Sequence, residues 1–182
     1  GQVAVDRIIR NDTAQAGDLL YLTKPLGVGI LTSASKKGKV TPEDLAVAVE
    51  NMATLNKVGE AFAEVDGVNA MTDVTGFGLA GHLLEICRGS GLKATVSRKA
   101  VPVLLNLKPY IDADCIPGGT HRNAAAFGKA ISGMTDADKL LFCDPQTSGG
   151  LMVSVAEKSR EAFEALARKH GLDLQPLGRL EA

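Results

Sequence analysis

The chain has 182 residues, a formal net charge of −1, 45% hydrophobic and 23% charged residues, an ordinary globular mixture able to bury a substantial core. No segment concentrates Lys and Arg, and with no Trp, two Tyr and five Phe neither a basic nucleic-acid surface nor a ladder of stacking rings is expected. No apolar run has bilayer length, nothing resembles a signal peptide, and Cys87, Cys115 and Cys143 offer no disulfide framework and no zinc spacing, so the expectation is a cytoplasmic protein with buried thiols and neither membrane nor nucleic-acid partners.

In chain order, residues 1–17 mix short apolar pieces with a turn at Asn11-Asp12-Thr13 and read as a lead-in segment. Residues 18–182 read as a single domain. Leu19-Leu20-Tyr21-Leu22-Thr23 is a strand stopped by Lys24-Pro25-Leu26-Gly27, because Pro lacks a ladder donor. Thr41-Pro42-Glu43-Asp44 starts a helix with a capping hydroxyl, Pro at the first position and acids in the first turn. Its apolar stripe runs through Leu45, Ala48, Met52, Leu55, Gly59 and Phe62, and Gly59 on that stripe predicts close approach of another backbone. A strand over 65–72, a glycine-rich turn, a helix over 79–88 and a strand over 92–97 follow. The stretch 101–120 is irregular, with room for a short helix, and a further helix is expected over 122–132. Strand 151–155, helix 156–170 closed by Gly171, and strand 172–180 complete an α+β domain with a mixed β-sheet and packed helices. The first residue is Gly1 rather than Met, and the chain reads as a piece of something longer.

Two turns could carry chemistry. Asp73 ends an apolar strand and is followed by Val74-Thr75-Gly76-Phe77-Gly78 and a helix start. A carboxylate beside a helix N-terminus can hold a metal ion that carries phosphate, although such an Asp can equally cap the helix. Asp144-Pro145-Gln146-Thr147-Ser148-Gly149-Gly150 also joins a carboxylate, hydroxyls and a glycine pair. Its Asp before Pro fits a turn former better than a ligand. His82 reads as a packed or hydrogen-bonded residue, and Lys24 as a surface lysine rather than a phosphate contact.

Gly76, Gly78 and Gly81 also spell G-x-G-x-x-G, which makes an NADP-binding oxidoreductase module the alternative. That fingerprint wants an acid about 20 residues on for the ribose hydroxyls. The chain has Thr95-Val96-Ser97-Arg98 there, so only a phosphorylated ribose, met by Arg98, would suit it.

Four segments together resemble the selenophosphate synthetase (selenide, water dikinase) family, within the aminoimidazole ribonucleotide synthetase superfamily. They are Thr23-Lys24-Pro25-Leu26-Gly27, Met71 to Leu83 around Thr72-Asp73-Val74-Thr75-Gly76-Phe77-Gly78, Pro117-Gly118-Gly119-Thr120, and Cys143 to Leu151. The resemblance covers nearly the whole chain and places it as the C-terminal domain of that enzyme. It implies ATP and Mg²⁺, with selenide, ATP and water giving selenophosphate, AMP and orthophosphate. It implies that Asp73 is a magnesium ligand, while assigning Thr75 and Gly76 to nucleotide phosphate is our inference from the turn. The family's ATP-binding N-terminal domain, its other metal-binding aspartates and its reactive Cys or selenocysteine and Lys have no counterpart here. A homodimer is implied for the whole enzyme, and negligible turnover is expected from this chain alone.

Overall fold

Leu19-Leu20-Tyr21-Leu22 is the apolar run around which the domain is built: it forms β1 (Leu19–Leu22), buried at every position. A computed structural model describes residues 3–182, so Gly1 and Gln2, the start of the lead-in segment, lie outside the described residues. After β1 come α1 (Val28–Lys36), α2 (Pro42–Ala53), α3 (Val58–Phe62), β2 (Val68–Asp73) and α4 (Gly78–Ser90). β3 (Lys93–Val96), α5 (Lys108–Asp112), α6 (Gly118–Phe127), α7 (Asp136–Phe142), β4 (Leu151–Val155), α8 (Arg160–Lys169) and β5 (Gly178–Glu181) complete the chain.

The strands form one sheet in the order β2-β4-β1-β5-β3. Alternate residues of β1 feed two cores. Leu20 and Leu22 join Ile30, Leu31, Leu79 and Ile86 on one face. Leu19 and Tyr21 join Phe62, Phe163 and Ala167 on the other, where the Phe163 ring lies 4.8 Å from Tyr21 and 4.6 Å from Phe62. With helices over both faces, β1 has no polar side to show, which is why it reads as an unbroken apolar run. No helix among the described residues is long and apolar enough to cross a membrane.

The α+β class is as expected, but the sheet is not mixed: all four ladders are antiparallel, and the parallel pairing is one isolated bridge, Leu26 with Val103. β2 and β3, which flank α4 in the chain, occupy opposite edges of the sheet with β4, β1 and β5 between them. The expected long stripe from Leu45 to Phe62 breaks into α2 and α3, leaving Leu55 79% exposed in the joint. Gly59 is buried, but a Cβ there would meet the Leu151 side chain at 2.8 Å rather than another backbone.

Candidate functional site

The register brings the C-terminal ends of β1 and β2 beside the N-terminal end of β4, with Leu22 opposite Met152 and Asp73 opposite Leu151. Beyond the strands the loops stay bonded. Val74 N donates to Gly150 O at 2.8 Å, Gln146 N to Thr75 O at 2.9 Å, and Thr23 N to Leu151 O at 3.0 Å. Asn123, on α6, donates from Nδ2 to both Gly76 O and Cys143 O at 2.9 Å. A Cβ on Gly119 would touch Pro145 Cγ at 2.9 Å. The four segments singled out in the sequence therefore meet at one end of the sheet.

Asp73 is exposed there, at the last position of an edge strand. Its carboxylate has no hydrogen bond or ion pair within the described residues. It is a hard, anionic oxygen ligand of the kind Mg²⁺ accepts, and one such ligand fills only part of an octahedral shell. Among the described residues no group of three or more His, Cys, Asp or Glu side chains could hold a metal. A shell built on Asp73 would need its other ligands from outside the described residues.

The Asp144 loop has the opposite character. Asp144 is fully buried and its Oδ2 accepts from Gly29 N at 3.1 Å and Gln146 Nε2 at 2.8 Å, while Oδ1 has no partner. Gln146 Oε1 takes Gly27 N and Val28 N at 3.2 and 3.3 Å. Together the two side chains cap α1, whose own N-cap residue, Gly27, has no side chain to do so. Burial pushes the Asp144 carboxyl up to about 7, against the pull of Gln146 and the α1 amides. Nor do Gly149 and Gly150 open the backbone to an oxyanion: a Cβ on the first would overlap Val74 O, and on the second Lys24 N.

Lys24 corrects the surface reading. It is buried, and its Nζ donates to Asn51 O (3.1 Å), Thr54 O (2.6 Å) and Ser148 O (2.8 Å). It ties the C-terminal end of α2 to the 144–150 loop, where Ser148 sits at φ 49°. A cation suits helix-terminal carbonyls, and desolvation lowers its pKa. A lysine between a strand end and Pro gave no signal of that role.

In the Asp73 turn, Gly76 is exposed and a Cβ there would meet nothing within 4 Å, so this chain's own packing does not demand glycine at that position. Thr75 is half-buried, with its hydroxyl 3.3 Å from His82 Nε2; His82 Nδ1 lies 2.9 Å from Glu85 Oε2. Gly78 sits at φ 69° with Phe142 O 2.7 Å from where a Cβ would be, so α4 begins against buried backbone rather than open solvent. All three cysteines are buried as expected, and burial pushes the Cys87 and Cys143 thiols up.

The dinucleotide alternative fails on this geometry. A Rossmann fingerprint needs a parallel strand–helix–strand unit, whereas β2 is an antiparallel edge strand. Gly81 is packed against Phe77 and Phe127, and Arg98 is engaged with Asp138 at 3.0 Å.

Comparison with known proteins agrees with this fold. The family model described as AIR synthase related protein, C-terminal domain, matches residues 15–182. A protein of Aeromonas salmonicida (strain A449) named selenide, water dikinase is 55% identical over 182 residues, covering 100% of this chain and 53% of the relative. The chain spans about half the length of the curated relatives it matches. Among solved structures, thiamine-monophosphate kinase from Stenotrophomonas maltophilia K279a aligns with a TM-score of 0.71 at 20% identity, over 100% of this chain and 52% of that one. The hydrogenase maturation protein HypE in complex with ATP aligns with a TM-score of 0.66 at 24% identity, over 100% and 48%. At those identities the likeness speaks for the fold alone.

Proposed function

The chain belongs to the AIR synthase related protein, C-terminal domain family, and from that premise we propose that it is the C-terminal domain of an ATP-dependent selenide, water dikinase. The whole enzyme makes selenophosphate from selenide, ATP and water and releases AMP and orthophosphate. Two facts support this: relatives bearing that name are 55% and 54% identical over the full chain, and the segments that carry the resemblance meet at one exposed end of the sheet.

In this reading Asp73 supplies one ligand to Mg²⁺, and the Thr75-Gly76 turn faces the nucleotide phosphates. The metal, when bound, neutralises charge on the transferred phosphoryl groups. The chain's own contribution is placement. The β2–β4 ladder fixes the Asp73 backbone, and the bonds to Gly150, Gln146 and Asn123 hold the following turn in one conformation. The N-terminal domain, joined through the lead-in segment 1–17, brings most of the ATP site and the remaining metal ligands. The whole protein is a homodimer in the cytoplasm, a compartment that keeps three buried thiols reduced, and its small-molecule partners are ATP and selenide.

The observation that carries the proposal is the exposed carboxylate of Asp73, unpaired among the described residues, at the meeting point of those segments. The test mixes this chain with the separately purified N-terminal half, ATP, Mg²⁺ and selenide, and follows selenophosphate by phosphorus NMR. The chain alone is expected to give no product and the mixture to give it. Turnover by the chain alone overturns the half-site reading. An inactive mixture alongside an active whole protein would show only that the halves do not reassemble, and an inactive whole protein overturns the function.

A further inference from the structure

The edge of the sheet opposite Asp73 leaves part of the core uncovered. β3 is the outermost strand there, with no strand beyond it among the described residues. Leu83 of α4, Leu92, Ala94 and Val96 in and just before β3, and Phe142 of α7 all pack on the main core, yet each is only partly buried. Between them, with residues 130–134 along one side, lies a pocket of about 470 Å³. Small-molecule sites occupy about 300–1,000 Å³ and combine apolar walls with a few placed polar groups. Here the polar share comes from three cations, Arg88, Lys93 and Arg98, and two carboxylates, Asp138 and Glu181, which leaves one positive charge in excess.

These charges are not equally available to a ligand. Lys93 stands opposite Glu181 in the β3–β5 register, and opposite charges at facing positions offset one another. Asp138 is engaged at both oxygens. Its Oδ2 accepts from Thr135 N at 3.1 Å and Thr135 Oγ1 at 2.7 Å, and its Oδ1 lies 3.0 Å from Arg98 Nε. That contact takes one nitrogen of Arg98 and fixes the guanidinium by its inner edge. The two terminal nitrogens have no partner among the described residues, and they are the pair that receives a carboxylate as a fork. A guanidinium already held in place loses less freedom when it binds.

We propose that this pocket binds a small amphipathic monoanion, with an apolar body against α4 and β3 and a single carboxylate on the Arg98 fork. One excess positive charge matches one carboxylate and not a polyphosphate, which sets this ligand apart from a nucleotide. Apolar walls alone would accept any hydrophobic body; the anchored Arg98 selects the anion.

The experiment titrates the whole protein with anilinonaphthalene sulfonate, an apolar aromatic body carrying one negative charge, and follows its fluorescence. Octanoate, octylamine and Mg-ATP are then added as competitors. Saturable binding of one probe per chain is expected, displaced by octanoate and left in place by octylammonium and by Mg-ATP. Arg98→Met is expected to weaken both probe and octanoate about tenfold, the size of a lost charge-assisted pair. Ala94→Phe puts a ring into the pocket and is expected to abolish the saturable component, with thermal melts showing that both variants fold; should Ala94→Phe not fold, Arg98→Met decides. Wild-type affinity in Arg98→Met, or octylammonium competing as well as octanoate, overturns the anion site. Wild-type affinity in a folded Ala94→Phe puts the probe elsewhere and overturns it too. Binding by this chain alone but not by the whole protein would mean that another part of the protein covers the pocket, which equally overturns a small-molecule site.

Discussion

The two glycine-rich turns look alike in sequence and differ in kind in the fold. Each offers a carboxylate, hydroxyls and glycines. At the first, Asp73 is exposed without a partner among the described residues and Gly76 borders open space. At the second, Asp144 is sealed beneath the loop, and Gly149 and Gly150 are filled by neighbouring backbone. The second turn serves the first: Gly150 O and Gln146 N hold the backbone of Val74 and Thr75. A carboxylate in a glycine-rich loop therefore says little until its burial is known, because the same residue types can either meet a ligand or brace the segment that does.

The largest expected effect separates the turns by activity. In the whole enzyme, Asp73→Asn should lower kcat on the order of 10²-fold, about 3 kcal/mol of lost stabilisation, with the melting temperature unchanged. Steady-state assays and a thermal melt check both halves, and wild-type activity would erase the contrast. The glycines give the complementary result. Gly149→Ala should destabilise by about 3 kcal/mol in chemical denaturation, since backbone has to move to admit the methyl group. Gly76→Ala should leave stability within about 0.5 kcal/mol and raise KM for ATP on the order of tenfold by crowding the phosphate approach. Equal stability losses at the two positions would mean that the turns are not distinct.

Next in size is the tie between the second turn and α2. Lys24→Met leaves the carbonyls of Asn51, Thr54 and Ser148 without their donor. These bonds are only part-buried, and Thr54 and Ser148 are exposed residues whose carbonyls water can reach, so each lost bond costs about 1 kcal/mol, offset in part because a buried ammonium is no longer desolvated. The net loss should be about 2 kcal/mol in a denaturant titration, and no loss would make Lys24 a passenger.

What the sequence disclosed follows from what is local. The Thr41 cap, the apolar run of β1 and the strand before Asp73 are written in adjacent residues, and each lies where expected. α1 gave no start signal because its cap comes from Asp144 and Gln146, more than a hundred residues away. α7 does carry one in adjacent residues, the Thr135–Asp138 capping box. α6 begins at Gly118 inside a segment that reads as a loop, because its glycines are set by contacts with Pro145 and Arg122 rather than by helix propensity. Of the candidate site, the positions of Asp73 and the Thr75-Gly76 turn are legible as a strand end followed by glycine. The Thr75–His82–Glu85 alignment is not, since seven residues of turn and helix must fold before hydroxyl and imidazole meet.

The smallest effect is a slope rather than a loss, and it tests the buried carboxylate itself. Burial raises the Asp144 pKa to about 7 in the folded protein from an ordinary 3.8. Between those values the native state keeps a proton that the unfolded chain has released, so stability falls as pH rises through the window. Below it the carboxyl is neutral in both states and the term vanishes; above about 7 the full penalty of a buried charge remains. Denaturant titrations at pH 5 and pH 8 should find the wild type less stable at the higher pH. Asp144→Asn can still accept from Gly29 N and Gln146 Nε2 through its one oxygen, and the atom it replaces has no partner to lose. That variant should flatten the slope while keeping the cap on α1. An unchanged slope would mean that the α1 amides hold Asp144 ionised, making the second turn a fixed negative charge rather than a neutral brace beneath the first.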